Sequence, residues 1–180
     1  MKTRIHIALL LLTLLAFAAC RRVPTYEVGT PKGDTLKENM INANRIIAQS
    51  EEQQIDAYLA RRGWPTKRLQ GGVRVSEMGT GGTLQNSPIA YEDTVDIVYS
   101  VLTLGGDTIY SHREESVVAG HLKPTRGLDA ALRSLHDGEQ AMVVVPSEQA
   151  YGVVGDGDRV RTRTVLVYDV EIKSVKKLSN

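Results

Sequence analysis

The sequence is poor in the residues that carry many of the familiar chemistries. One cysteine, Cys20, among 180 residues means that no disulfide can form within the chain. Phenylalanine occurs once, at Phe17, and tryptophan once, at Trp64, so seven tyrosines supply most of the aromatic surface. Neither sign of charge dominates, with 22 Lys and Arg against 21 Asp and Glu. That balance argues against nucleic acid as a partner, because such a surface needs a clear basic excess on one face. The four histidines, His6, His112, His121 and His136, show no metal-ligand spacing. Asp156-Gly157-Asp158 is too short for a calcium loop, and no Gly-x-Ser-x-Gly elbow presents a nucleophile. Neither a metal nor a cofactor is expected.

The apolar run from Ile7 to Ala19 is too short and wrongly flanked for an ordinary spanning helix. With the basic start before it and the small residues at its end, residues 1–19 read as a secretory signal. Cys20, directly after Ala18-Ala19, resembles the cysteine of a bacterial lipobox, with Phe17 where that pattern usually has leucine. The alternative is a plain signal peptide with an incidental thiol. The lipobox resemblance implies cleavage before Cys20, lipidation of that residue and anchoring to a membrane of a Gram-negative cell envelope. Acyl chains hold firmly, since each buried methylene contributes about 0.8 kcal/mol. Surface-export signals of Bacteroidetes-type lipoproteins are acidic after the cysteine; here Arg21-Arg22 follow, so the anchored chain is expected to face the periplasm.

Residues 20–33, with Pro24, Gly29, Pro31 and Gly33, form a tether. A helical extension over 34–65 comes next. Leu36, Met40, Ile47, Ile55 and Leu59 recur at helical spacing, with a break allowed near Ser50, and Gly63 and Trp64-Pro65 end the helix. This segment either packs on the domain that follows or mediates self-association.

A domain over 72–175 is mostly strand. Gly72 to Val75 reads as the first strand, and Gly79-Thr80-Gly81-Gly82 as a turn without the context of a phosphate loop. Val95, Ile97, Tyr99 and Val101 alternate on one face of a second strand, which turns at Gly105-Gly106 into Asp107 to Ser111. Thr125 to Asp137 reads as a helix, with Thr125 as N-cap, Leu128, Ala131, Leu132 and Leu135 as its stripe and Gly138 as its stop. Val143 to Val145 is a strand stopped by Pro146. In the last strand Leu166, Tyr168, Val170 and Ile172 share one face. Arg159, Arg161 and Arg163 alternate and read as a solvated edge.

Val145-Pro146, Ala150-Tyr151-Gly152 and Leu166-Val167-Tyr168-Asp169-Val170-Glu171, with Asp96-Ile97-Val98-Tyr99 and Gly106-Asp107-Thr108-Ile109-Tyr110-Ser111 upstream, resemble the FKBP-type peptidyl-prolyl isomerases. The preceding helical extension resembles that of the gliding-motility lipoprotein FKBPs of Bacteroidetes. The resemblance implies an α+β fold, a twisted antiparallel sheet wrapped around one short helix. It implies an isomerase that assists the folding of exported proteins by acting on their proline-containing segments. Tyr99, Tyr110, Tyr151 and Thr125 would then act at the rotating bond, with the Tyr151 hydroxyl and the Thr125 backbone N–H as donors to substrate. Ile109, Leu128, Ala150, Val160 and Tyr168 would hold the proline. His112 to Ser116 would be a charged loop flap.

The sequence departs from the family pattern at several of these positions. Tyr110 stands where the family has an aspartate, Ile109 where it has phenylalanine, and Leu128 where it has the tryptophan floor. Pro124-Thr125 takes the place of an apolar pair, and Asp158 to Thr162 replaces an Ile-Pro-Pro wall. A smaller, wetter and more phenolic pocket is expected. Two rival readings follow: a binding or chaperone module with impaired catalysis, and a structural envelope lipoprotein assembled through the Asp34 to Arg62 helices.

Overall fold

The computed structural model describes residues 33–79 and 88–178. The leader, Cys20 and the tether up to residue 32 lie outside the described residues, as do Thr80, Gly81 and Gly82 of the glycine-rich turn, while Gly33, read as the end of the tether, begins a helix. The chain divides into two compact units, residues 1–40 and 41–180. In the first, the described residues belong to the opening turns of a helix on which Leu36 and Met40 are exposed.

That helix, α1 (Gly33–Arg62), is continuous. No proline or internal glycine interrupts it. Asp34 in the first turn and Arg61-Arg62 in the last suit the helix dipole. Gly63, at a φ of 66°, closes it and donates its N–H to the Leu59 carbonyl at 2.9 Å. The break expected near Ser50 does not occur. An exposed serine lowers helix propensity by only a few tenths of a kcal/mol, and the residues after it are good helix formers.

Six antiparallel strands form one sheet in the order β1-β2-β5-β6-β3-β4. They are β1 (Lys67–Arg68), β2 (Arg74–Glu77), β3 (Thr94–Thr103), β4 (Thr108–Val118), β5 (Gln140–Val145) and β6 (Leu166–Lys176). A second helix, α2 (Arg126–Leu132), lies against one face. This is the arrangement expected from the resemblance. Alternation along the strands separates two cores. Toward α2 point Val95, Ile97, Tyr99 and Val101 of β3, Val143 and Val145 of β5, and Leu166, Tyr168 and Val170 of β6, packed on Leu128, Ala131 and Leu132. The other face carries Met142, Val144 and Val167, which meet Ile55, Tyr58 and Leu59 of α1. Those three helical positions lie one turn or less apart and make a single buried stripe.

Several elements differ from their sequence-based readings. Short β1 pairs with β2 but carries no apolar alternation to mark it. β2 begins at Arg74 because Gly71 and Gly72 both take positive φ in a 3-10 turn just before it. The helix expected to run to Asp137 ends at Leu132. Ser134 and Leu135 then bond back three residues, to Ala131 and Leu132, so the chain tightens while Leu135 still reaches the core. The charged stretch His112 to Ser116 is not a loop but part of β4, with Arg113 opposite Tyr99 and Ser116 opposite Asp96. β4 is the edge strand, where charged side chains guard against further pairing.

Candidate active site

Tyr99 and Tyr168 meet because of strand register. Tyr99 lies opposite Val170 and Val101 opposite Tyr168, so the two tyrosines are diagonal neighbours on one face. Their rings sit 5.8 Å apart at 51°. Both are buried, and each hydroxyl has a partner: Tyr99 donates to Glu115 Oε2 at 2.9 Å, and Tyr168 lies 3.4 Å from Thr125 Oγ1. Thr125 is the N-cap of α2, its Oγ1 accepting from the Leu128 N–H at 3.3 Å. The helix start is thereby tied to the sheet. Gly127 permits this approach, since a Cβ there would stand 2.3 Å from Val145 Cγ1.

Tyr151 comes from the loop between β5 and β6. Pro146 ends β5, and a 3-10 turn, Ser147–Gln149, leads to Ala150. The Ala150 and Gly152 N–H groups both return to the Ser147 carbonyl, at 3.1 and 2.8 Å. Gly155 must be glycine: its φ is 75° and a Cβ would lie 2.3 Å from the Val160 carbonyl oxygen. Asp156 then organises the far side of the loop. Its Oδ1 accepts from the N–H groups of Asp158 and Val160 at 2.9 and 2.8 Å, and its Oδ2 accepts from the Tyr110 hydroxyl at 2.5 Å. The Tyr110 ring is flanked by two guanidinium groups, Arg113 at 4.1 Å and Arg159 at 5.6 Å from its centroid.

Burial, reinforced by the Glu115 carboxylate, pushes the Tyr99 hydroxyl far above its ordinary range. Burial likewise raises Tyr168 and Tyr151. Tyr110 is pushed up to about 12, chiefly by its bond to Asp156. Burial opposes the Asp156 charge, but the Tyr110 hydroxyl and the surrounding backbone N–H groups outweigh it and hold that carboxyl below the usual range. All four phenols therefore remain neutral O–H donors at physiological pH. Of the buried pair and Tyr151, only Tyr151 has a hydroxyl with no hydrogen-bond partner among the described residues, which leaves that hydroxyl available to a bound molecule. No three His, Cys, Asp or Glu side chains converge to hold a metal ion among the described residues.

The structure gathers the sequence-predicted residues at one end of the α2-facing core. Tyr99, Leu128, Val160 and Tyr168 are buried in it; Ile109, Tyr110, Ala150 and Tyr151 pack against it. Thr125 is buried beside Tyr168. Sequence reasoning missed Glu115, Arg113 and Asp156. The first two were obscured by a bulge: β3 advances from Tyr99 to Val101 while β4 runs from Arg113 back to Tyr110, with His112 at a φ of 49°. Strict alternation from Ile109 therefore assigns the wrong faces. Asp156 carried a weak signal, an aspartate between two glycines, as is common where a side chain caps a tight loop.

Comparison with known proteins bears on this arrangement. A family model described as FKBP-type peptidyl-prolyl cis-trans isomerase matches residues 86–173. The probable FKBP-type 25 kDa peptidyl-prolyl cis-trans isomerase of Pseudomonas aeruginosa is 31% identical over 106 residues, 59% of this chain and 45% of that protein. The chain thus matches less than half of that relative's length. A crystal structure of a peptidyl-prolyl cis-trans isomerase from Pseudomonas syringae pv. tomato superposes with a TM-score of 0.61 at 25% identity, covering 74% of this chain and 96% of that one. The N-terminal domain of FKBP42 from Arabidopsis thaliana shares the fold, with a TM-score of 0.57 at 23% identity over 63% of this chain and 93% of that one. Sheet order, the capped helix start, the tyrosine-bearing loop and these matches lead to one assignment: residues 86–173 form a domain of the FKBP-type peptidyl-prolyl cis-trans isomerase family.

Proposed function

We propose that residues 72–175 bind proline-containing segments and speed their cis–trans isomerisation. The observation that carries this reading is the meeting of Tyr99, Tyr151 and Tyr168 with the capped start of α2, inside the region matched by the family. Rotation about a peptide bond costs roughly 18–20 kcal/mol because the twisted amide loses resonance. No nucleophile is needed. An apolar surface disfavours the polar planar amide, and binding the twisted form more tightly lowers the barrier. Proline is the suitable substrate because its two isomers differ by only about 0.5–1 kcal/mol. In this scheme Tyr99, Tyr110, Tyr151 and Thr125 stand at the rotating bond. Tyr151 donates its hydroxyl to a substrate carbonyl and the Thr125 N–H supplies a second donor. Ile109, Leu128, Ala150, Val160 and Tyr168 contact the proline ring.

The same reading places the protein in the envelope of a Gram-negative bacterium, held by acyl chains on Cys20 and facing the periplasm. Its substrates there are exported chains that fold after translocation, and its role is that of a folding helper. Metabolic labelling with a radioactive fatty acid tests the anchor: label in the wild type and none in Cys20→Ala is expected, and equal label in both would reject it.

A proline tetrapeptide assay tests the activity. Isomerisation well above the spontaneous rate is expected, with loss in Tyr151→Phe. Rates equal to buffer at high protein concentration would remove the enzyme reading. Tyr110 favours a second reading in that event, because it stands where the family resemblance places an aspartate and its hydroxyl is committed to Asp156. A non-catalytic binding module would still bind proline peptides or protect a client from aggregation.

A further inference from the structure

We propose that Glu51 is a positioning residue for the reaction above: from α1, outside the region matched by the family, its carboxylate fixes Ser147 and through it the loop that carries Tyr151. The inference rests on the isomerase reading and adds to it a role for the helix. Glu51 is 9% exposed, and both of its oxygens are used. Oε2 accepts from the Ser147 N–H at 3.0 Å and Oε1 from the Ser147 hydroxyl at 2.6 Å. A nearly buried carboxylate is costly unless it is hydrogen-bonded, so this residue type would not persist here as filler.

The consequence lies on the other side of Ser147. Its carbonyl receives the Ala150 and Gly152 N–H groups, which flank Tyr151 on either side. Ser147 is therefore gripped by α1 through its N–H and hydroxyl while it grips the Tyr151 turn through its C=O. The grip has a firm base. Glu51 lies one helical turn before Ile55, whose side chain is fully buried against the sheet. Glu52, the next residue, and Asp56, one turn further on, bond Arg74 of β2. Packing does not substitute for the clamp, because a cavity of about 580 Å³ opens beside it, bordered by Asn44, Glu51, Gln149, Gly152 and Arg163. Among the described residues, the other hydrogen bond from α1 to this loop region is the long 3.4 Å contact of Arg163 Nη2 with Asn44 Oδ1.

The test is made on the full chain with Glu51→Ala, Glu51→Gln and Ser147→Ala. Two quantities are read: isomerisation of a proline tetrapeptide, and amide hydrogen exchange resolved by residue. Glu51→Ala is expected to lower kcat/KM about tenfold through kcat, and to speed exchange at the Ala150 and Gly152 amides at least tenfold. Amides in β3 and β6 should keep their wild-type rates, a split that general destabilisation would not produce. Glu51→Gln and Ser147→Ala each weaken one of the two bonds and should show the same pattern to a smaller degree; they decide the matter if Glu51→Ala does not fold. Unchanged exchange at Ala150 and Gly152 in folded variants, or unchanged turnover, would overturn the proposal. An inactive wild type would instead reject the isomerase reading, and the exchange rates alone would then decide whether Glu51 holds the loop.

Discussion

Toward α2 the sheet presents Tyr99 and Tyr168, whose buried hydroxyls need partners; toward α1 it presents Val144 and Val167, which need none. The first face depends on geometry contributed by distant segments. Glu115 from the edge strand serves Tyr99, Thr125 from the helix start serves Tyr168, and the Asp156 loop completes the rim through Tyr110. The second face depends on shape. A stripe of Ile55, Tyr58 and Leu59 meets small β-branched residues, and the polar contacts of Arg74 stand beside it. The difference teaches where tolerance should lie. Substitutions toward α1 should cost stability in proportion to the volume removed. Substitutions toward α2 should cost stability, function or both, according to which atom is lost.

The largest effects should come from paired core truncations. Leu128→Ala and Ile55→Ala both empty fully buried sites and should each cost about 2–5 kcal/mol in urea unfolding. Only Leu128→Ala should also lower isomerisation beyond the loss of folded protein. Equal activity per folded molecule in the two variants would dissolve the functional contrast between the faces.

Next comes Arg74→Ala, which strips a buried guanidinium from Glu52, Asp56 and the Gly72 carbonyl. A loss of about 2 kcal/mol is expected, because charged hydrogen bonds in partly buried sites are worth more than exposed ones. Arg68→Ala, whose exposed side chain pairs with the same Glu52, should change stability by less than about 1 kcal/mol. Reversal of that order in denaturant titrations would show that the network does not anchor α1.

Tyr151→Phe should leave the unfolding midpoint near wild type and reduce kcat/KM about tenfold, close to one hydrogen bond in the transition state. Tyr168→Phe should do the reverse on a small scale, since its hydroxyl faces Thr125 rather than a substrate. Matching kinetics for the two variants would show that the hydroxyls are not divided in this way.

The smallest effect belongs to Asp96, outside both cores. Hydrogen bonds from Ser116 and Ser174 and then from Lys176 lower its carboxyl from the ordinary 3.8 to about 2. A lowered folded-state value means that the contribution is present above about pH 4 and is lost as pH falls toward 2. Asp96→Asn should therefore separate from wild type at neutral pH and converge with it by about pH 2. Urea midpoints at several pH values provide the check, and a gap independent of pH would show that these hydrogen bonds do not favour the charged carboxylate.

Much of the architecture could be read from the order of residues because burial imposes local periods. Leu166, Tyr168, Val170 and Ile172 alternate, and they face one core. Thr125 preceded a helical stripe, and it caps α2. The readings that failed did so where a non-local contact sets the structure. Nothing nearby distinguishes the charged His112 to Ser116 segment as strand, because its pairing partner is β3. The missed carboxylates have the same origin: Glu115 and Asp156 acquire meaning only opposite Tyr99 and Tyr110.

By itself the sequence determined which faces of strands and helices are apolar, where helices begin and where turns fall. These follow from side-chain period, capping and backbone sterics within a few residues. Tertiary structure alone decided which side of the sheet α1 covers, which acid meets which tyrosine, and that Glu51 reaches Ser147 across 96 positions of chain. Such contacts depend on register, bulge and crossing geometry, and these are settled only when distant segments pack together.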